Sequence, residues 1–315
     1  MGAIAYLFPG QGSQVVGMGR ALLAESRAAR LVFEEADEAL GARLSELILE
    51  GPDEELRRTA VTQPAILTMS IAALRALEER GSPPPDFVAG HSLGEYAALV
   101  AARCISFADA VRAVRERGRF MQEAVPEGQG AMAAVLLMEA EDVQRIIDHV
   151  VATHSEAYVA VANFNGPTQT VIAGSRRGVD LALVALKDAG AKRVIELPVS
   201  APFHCGLMAP VKPRLEDVLA GVRIGPIEVP VVTNVEATSN QDPARVCPLL
   251  VEQVTAPVRF TEMAAFLLAQ GVDRFVEVGP GKALSGMLKR MAKDAKFMNV
   301  EDPASLDATL CALGA

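Results

Sequence analysis

The chain has 315 residues, roughly twice the length of a typical single core, so one large domain or two unequal ones are expected. Half the residues are hydrophobic and 22% are charged, which excludes disorder and collagen-like repeats. Lys and Arg number 30 against 39 Asp and Glu; the net charge of −9 disfavours general binding to nucleic acid or to an anionic membrane.

The apolar run Ala3–Phe8 predicts a short buried strand, stopped by Pro9-Gly10-Gln11-Gly12 and followed by helical segments through Leu40. Between Thr62 and Arg80, Ile66, Met69, Ala73, Leu74 and Leu77 recur at helical spacing, with Thr62 as the expected cap and Gly81 just past the end. Prolines 83–85 impose an extended approach to a second strand, Phe87–Ala89, and another helix is expected from near Gly94. Ser106, with Asp109 three positions on, predicts a helix start, and Val111, Val114, Gly118 and Met121 form that helix's apolar stripe.

The rhythm then changes. Strand Ala131–Leu137, helix Glu141–Val150, strand Tyr158–Phe164, a turn at Asn165-Gly166-Pro167, strand Thr170–Ala173, helix Val179–Ala189 and strand Arg193–Leu197 follow the β-α-β-β-α-β order of a ferredoxin-like unit. A helix from Cys205, strand Val229–Thr233, helices near 245–270, strand Arg274–Val278 and a helix after Gly279-Pro280-Gly281 resume the first pattern. The expected fold is α/β: a large domain with a parallel sheet (1–128 and 199–315) into which a small ferredoxin-like α/β domain (129–198) is inserted. The cleft between them is the default place for a site.

The longest nearly uninterrupted apolar stretch, Ala65–Leu74, is far short of the ~18 residues that cross a bilayer, so no transmembrane helix is expected. The first basic residue is Arg20, which leaves no charged start for a secretory signal; a cytoplasmic protein is expected. Cys104, Cys205, Cys247 and Cys311 form no C-x-x-C pair, and reduced thiols rather than disulfides or a zinc site are expected.

The strongest local signal is Gly90-His91-Ser92-Leu93-Gly94, a G-x-S-x-G between an apolar strand and a helix. In a nucleophile elbow the flanking glycines permit a sharp turn that projects the serine hydroxyl at the helix start, where N–H groups and the helix dipole stabilise negative charge. The alternative is a plain turn with Ser92 as helix cap. A nucleophilic serine needs a base. His91 adjoins Ser92 and is expected to point elsewhere, His149 and His154 end a solvated helix, and His204 lies where the chain re-enters the large domain beside the cleft. Cys205 is a rival nucleophile without a distinctive local setting.

Gly10-Gln11-Gly12 lacks the third glycine of a dinucleotide loop, replaced by Val15, and Val276 stands where a P-loop begins with glycine; neither nucleotide site is supported. On the helix after Ser106, Arg112 and Arg119 point away from the apolar stripe, whereas Arg115 and Arg117 flank it. One of these two is available to a cleft, the alternative being a solvated charged face.

Phe8-Pro-Gly-Gln-Gly-Ser-Gln14, Gly90-His-Ser-Leu-Gly-Glu-Tyr96, Arg117 in its Arg-Gly-Arg context, Asn163 to Gly174, Ser200 to Met208 and Val276-Glu-Val-Gly-Pro-Gly281 occur in this order along the chain. Together they resemble the malonyl-CoA:acyl carrier protein transacylases, within the acyltransferase family of fatty acid and polyketide synthesis. The resemblance implies an α/β-hydrolase-like large domain, Ser92 as acyl-accepting nucleophile and His204 as its base. It further implies a Gln253 main-chain carbonyl that orients the histidine, and an oxyanion hole from the N–H groups of Gln11 and Leu93. Arg117 matches the arginine that pairs with the malonyl carboxylate, and Gln63, His91, Asn163 and Phe203 are expected to line the substrate site. Phe203 resembles the bulky residue that goes with malonyl rather than methylmalonyl in polyketide acyltransferases.

By this resemblance malonyl-CoA and holo-acyl carrier protein are the expected partners, with no cofactor, no metal, no nucleic acid, no membrane and a monomeric enzyme. Lys282, Lys289, Arg290, Lys293 and Lys296 are candidates for docking an acidic carrier, the alternative being the solvated face of an amphipathic helix. Competing functions are a free-standing polyketide acyltransferase, a serine thioesterase or hydrolase, and a non-catalytic carrier-binding subunit. A Ser…Asp…His order is open to the hydrolase, since Asp109, Asp142, Asp148, Asp180 and Asp188 fall between Ser92 and His204.

Overall fold

The computed structural model describes residues 2–199 and 201–314; Ser200, in one of the motifs above, lies outside them. Strand β1 (Ala3–Phe8) leads to helices α1 (Arg20–Glu25), α2 (Arg27–Leu40), α3 (Leu44–Glu50), α4 (Asp53–Leu56) and α5 (Thr59–Glu79). Next come β2 (Phe87–Gly90), α6 (Gly94–Ala101) and α7 (Phe107–Glu123). The middle of the chain supplies β3 (Gly130–Leu136), α8 (Ala140–Thr153), β4 (Val159–Gly166), β5 (Gln169–Ser175), α9 (Arg176–Asp188) and β6 (Arg193–Glu196). A 3₁₀ turn at Gly206–Met208 precedes α10 (Val211–Ala220), β7 (Val231–Val232), β8 (Ser239–Asn240), α11 (Val246–Gln253) and α12 (Phe260–Ala269). The chain closes with β9 (Val272–Val278), α13 (Ala283–Leu288), β10 (Lys296–Val300) and α14 (Pro303–Leu313).

Two sheets result. The six-stranded sheet runs β10-β9-β1-β2-β7-β8, parallel except where β8 turns back on β7. β1 and β2 are buried nearly throughout, as expected of strands covered on both faces. The loops after β1, β2 and β7 therefore leave the same end of the sheet, the carboxyl end, where open α/β sheets place their sites.

The second sheet, order β4-β5-β3-β6, is antiparallel. Its two faces separate by the alternation of its strands. Ala131, Ala133 and Val135 of β3 join Val143 and Ile147 of α8 and Val179 and Leu186 of α9 in one cluster. Met132, between them, faces the other way into the main core. The Val258 N–H donates to the Ala162 carbonyl at 2.9 Å and the Val258 carbonyl accepts from the N–H of Phe164, so β4 is tied to the large unit.

Several elements differ from expectation. Helix α5 starts three residues early, at Thr59, and Thr62 is no cap: it lies inside the helix and its hydroxyl donates to the Leu56 carbonyl. By length and composition α5 is long and apolar enough to cross a membrane, yet 83% of that window is buried, packed against α2, α6 and α7. It is a core helix. The helix expected from Cys205 begins only at Val211, after Pro210 at its N-cap, where a residue without an N–H is tolerated. The strand expected at Val229–Thr233 shrinks to Val231–Val232, since Pro230 has no donor for a ladder. Ser106 caps α7 as expected, its Oγ accepting from the Asp109 N–H.

Candidate active site

Ser92 occupies the turn between β2 and α6 with φ 53°, in the left-handed region. The flanking glycines do not supply that conformation; neither has a positive φ. They are required by crowding: a Cβ at Gly90 would lie 2.0 Å from the Gly94 carbonyl group, and one at Gly94 2.1 Å from the Phe8 carbonyl oxygen. The strain sits on the serine, where sterically sparse backbone conformations are found at functional turns.

Asn234, just beyond β7, grips both sides of this turn. Its Oδ1 accepts the Ser92 N–H at 2.7 Å and its Nδ2 donates to the Gly90 carbonyl at 2.7 Å. The Ser92 N–H is thereby consumed, whereas the next N–H, of Leu93, opens α6 and has no partner within the helix ladder. The loop after β1 presses on the same turn: a Cβ at Gly10 would be 2.6 Å from the His91 carbonyl oxygen, so Gln11 is brought alongside.

Ser92 Oγ lies 2.7 Å from His204 Nε2, and His204 Nδ1 lies 2.9 Å from the Gln253 main-chain oxygen. A carbonyl only accepts, so Nδ1 carries the proton and Nε2 is free to take the serine's. None of the five aspartates between serine and histidine fills the place beside Nδ1. Burial first, and the Arg117 cation second, push the His204 pKa down to about 3. Cys205 is also buried, its thiol donating to the Pro202 carbonyl and its pKa pushed up to about 11 by loss of water, so it is not the nucleophile.

Arg117 is 0% exposed. Its Nη1 donates to Gln63 Oε1 (2.7 Å), and its Nη2 to Gln253 Oε1 (2.9 Å) and Ser92 Oγ (3.1 Å). Among the described residues no carboxylate comes within ion-pair distance of this guanidinium, and Nε has no hydrogen-bond partner. Arg115, the other arginine beside the apolar stripe, turns outward and donates to the Leu40 carbonyl.

A cavity of about 110 Å³ collects Gln11, Gln63, His91, Ser92, Arg117, Asn163, Phe203 and His204, together with Met121, Met132, Leu197 and Val199. Leu93 and Gln253 stand behind this wall, Leu93 next to the nucleophile and Gln253 through its hydrogen bonds. His91 does point away from the serine hydroxyl, towards Asn165 Oδ1 at 2.8 Å, but its ring still forms part of the wall, and burial lowers its pKa. The ten residues expected from sequence thus converge on one place.

Sequence reasoning read Met121 only as part of an apolar stripe and Met132 and Leu197 only as strand residues, named neither Asn234 nor Val199, and assigned no role to Glu95. A signal existed for Glu95, three residues after Ser92 in the same motif; Asn234 follows a two-residue strand and has none. A larger concavity of about 700 Å³ near Glu141, Arg145, Phe164 and Thr261 contains no nucleophile and base in contact. The small one does. It is too small for a drug-sized ligand, for which ~300 Å³ is a lower bound, and suits a short acyl group carrying a carboxylate.

The acyl transferase domain family matches residues 5–306 of the chain. The malonyl CoA-acyl carrier protein transacylase of Bacillus subtilis (strain 168) is 49% identical over 310 residues, 98% of this chain and 97% of the relative. Among solved structures, an acyl-carrier-protein-S-malonyltransferase from Bartonella henselae superposes with a TM-score of 0.96 at 43% identity over 100% of both chains. A malonyl-transacylase solved in complex with its type II polyketide synthase acyl-carrier protein matches with a TM-score of 0.95 at 43% identity, covering 98% of this chain and 99% of that one.

Proposed function

The chain belongs to the acyl transferase domain family, and on that premise we propose that it moves the malonyl group from malonyl-CoA to the phosphopantetheine thiol of holo-acyl carrier protein through an ester on Ser92. The observation that carries this reading is Arg117, a fully buried cation without an ion pair among the described residues, in contact with the nucleophile. A buried charge of this kind is costly unless an anion arrives to meet it.

In the first half-reaction Ser92 Oγ attacks the thioester carbonyl while its proton passes to His204 Nε2. The oxyanion is held by the N–H groups of Gln11 and Leu93, each contributing roughly 3 kcal/mol at the transition state. Collapse breaks the C–S bond, and the departing CoA thiolate takes the proton back from His204. In the second, the carrier's thiol gives its proton to His204, attacks the ester and returns Ser92 as the free alcohol. One methylene separates the malonyl carboxylate from the reacting carbonyl, so a guanidinium that touches Ser92 Oγ is within reach of it. Gln63 and Gln253 aim its planar fork, while His91, Asn163 and Phe203 bound the acyl group.

Thioester exchange calls for neither redox chemistry nor a metal. The six-stranded unit (1–128 and 199–315) is read as an α/β-hydrolase-like domain and residues 129–198 as a ferredoxin-like insert, a reading supported by the strand order β4-β5-β3-β6. A cytoplasmic monomer fits a site assembled within one chain. The carrier docks through the exposed Lys282, Lys289, Arg290, Lys293 and Lys296.

Weighing the protein after incubation with malonyl-CoA tests the reading. A malonyl adduct is expected, absent in Ser92→Ala, discharged rapidly by holo-carrier and slowly by water; rapid release of free malonate would indicate a hydrolase, and carrier binding without any adduct a non-catalytic subunit.

A further inference from the structure

Gln253 serves Arg117 only if its side-chain amide points one way. Its Oε1 faces the Arg117 fork, while its Nε2 donates to the Ser92 carbonyl (3.1 Å) and to Glu95 Oε2 (2.8 Å). Half a turn of the amide would set NH₂ against the guanidinium, donor against donor. The same Glu95 oxygen accepts the main-chain N–H of Asn234 (2.9 Å), the residue that grips the Ser92 turn. Glu95 is buried as the second residue of α6, makes no ion pair among the described residues and does not line the cavity.

We propose that Glu95 is the positioning residue for malonyl selection: by accepting from the Gln253 amide it keeps that amide's oxygen towards Arg117, and so keeps the guanidinium aimed at the substrate carboxylate. This deepens the reading above and rests on Arg117 receiving that carboxylate. A carboxylate is suited to the place because, when ionised, it offers acceptors only. Loss of water lifts its pKa to about 7 against the opposing effect of the donors from Asn234 and Gln253. Such burial is expensive, and here it serves the orientation of a neighbour rather than a direct contact.

The test is single-turnover acylation of Ser92 by malonyl-CoA and by acetyl-CoA in the wild type, Arg117→Ala, Glu95→Ala, Glu95→Gln, Gln253→Ala and the double variant Glu95→Ala/Gln253→Ala. Glu95→Ala should cut the malonyl-over-acetyl preference by about tenfold or more. Glu95→Gln, whose oxygen can take the same two donors, should restore it to within about threefold. The double variant should be no worse than the worse single, because both break one relay. An unchanged preference in Glu95→Ala, or losses that multiply in the double variant, would overturn the proposal. Should Glu95→Ala not fold, Gln253→Ala decides, since it keeps the main-chain carbonyl beneath His204: an unchanged preference there overturns the relay. Arg117→Ala separates the two readings. If it retains the malonyl preference the carboxylate clamp itself is wrong; if it loses the preference and Glu95→Ala does not, the clamp stands and the role of Glu95 falls.

Discussion

Arg117 Nη2 donates to Ser92 Oγ across 3.1 Å, so one nitrogen of the buried cation rests on the nucleophile before any substrate arrives. A malonyl carboxylate would satisfy this cation; an acetyl group would leave it desolvated and unpaired, at ~3 kcal/mol or more. Arg117→Ala should therefore reduce malonyl transfer by about a hundredfold or more while acetyl transfer falls far less. Equal losses in kcat/KM for the two donors would remove the clamp.

The pH dependence follows from His204. Its pKa lies far below the ordinary 6.5, so the folded enzyme keeps the base neutral down to about pH 3. Single-turnover acylation in Glu95→Gln, which removes the carboxyl that titrates at about 7, should show no acid limb near pH 6.5; a limb there would mean that another group is the base or that His204 is hydrated. Stability carries the matching sign. The unfolded chain binds this proton first, so the contribution of neutral His204 is complete above 6.5 and is lost as pH falls from there towards 3.

Two glycine substitutions should behave oppositely. Gly94→Ala drives a Cβ to 2.1 Å from the Phe8 carbonyl oxygen and should cost about 1–3 kcal/mol, lowering Tm by several degrees along with activity. Gly286→Ala, within α13 and with nothing near its added Cβ, should hold or raise Tm, by up to ~1 kcal/mol in stability. A thermal melt in which Gly94→Ala is harmless would show that the elbow is looser than its contacts imply.

Carrier docking is the fourth expectation. None of the five basic residues lies within α13 itself; they flank it and reach β10, so they are not the polar face of one helix. Reversing Arg290 and Lys293 to Glu should raise KM for the carrier several-fold, most strongly at low salt, and leave acylation by malonyl-CoA unchanged. Unchanged carrier KM at low salt would place docking elsewhere.

What sequence made legible was what local pattern encodes. β1 and β2 are short apolar runs punctuated by glycine and proline, and the middle segment alternates by period, so its order of elements emerges without any contact being known. Edge elements were not legible: in β10 only Val300 is buried, so no apolar run announces it, and α14 behind it was likewise missed. Angular reasoning on α7 reduced its arginines to two, and only packing against α5 decides that Arg117 goes inward. Ser92 and His204 carried a motif and a position. Asn234 and Met132 had neither, because each acquires its role from a strand pairing distant in sequence, and the glycines were credited with flexibility where they supply room.

The imidazole of His204 leans on a main-chain carbonyl instead of a carboxylate, with a guanidinium on the far side of its hydroxyl partner. Once charged it would have no counter-ion among the described residues, which makes it a feeble acceptor of protons. Ser92 is an alcohol nearly as reluctant as water, and it yields its proton because its Oγ is held 2.7 Å from Nε2. Among nucleophiles that arrive untethered, a thiol, ionising at about 8.5, asks little of such a group, whereas water, at about 15.7, asks a great deal. On the proposed mechanism the arrangement would sort nucleophiles arriving at the ester by acidity: sulfur would be let through, solvent turned away, and the loaded ester would wait for its carrier. On the same reading, a stronger acceptor in that place would make the protein a leakier one, spending activated acyl groups on hydrolysis.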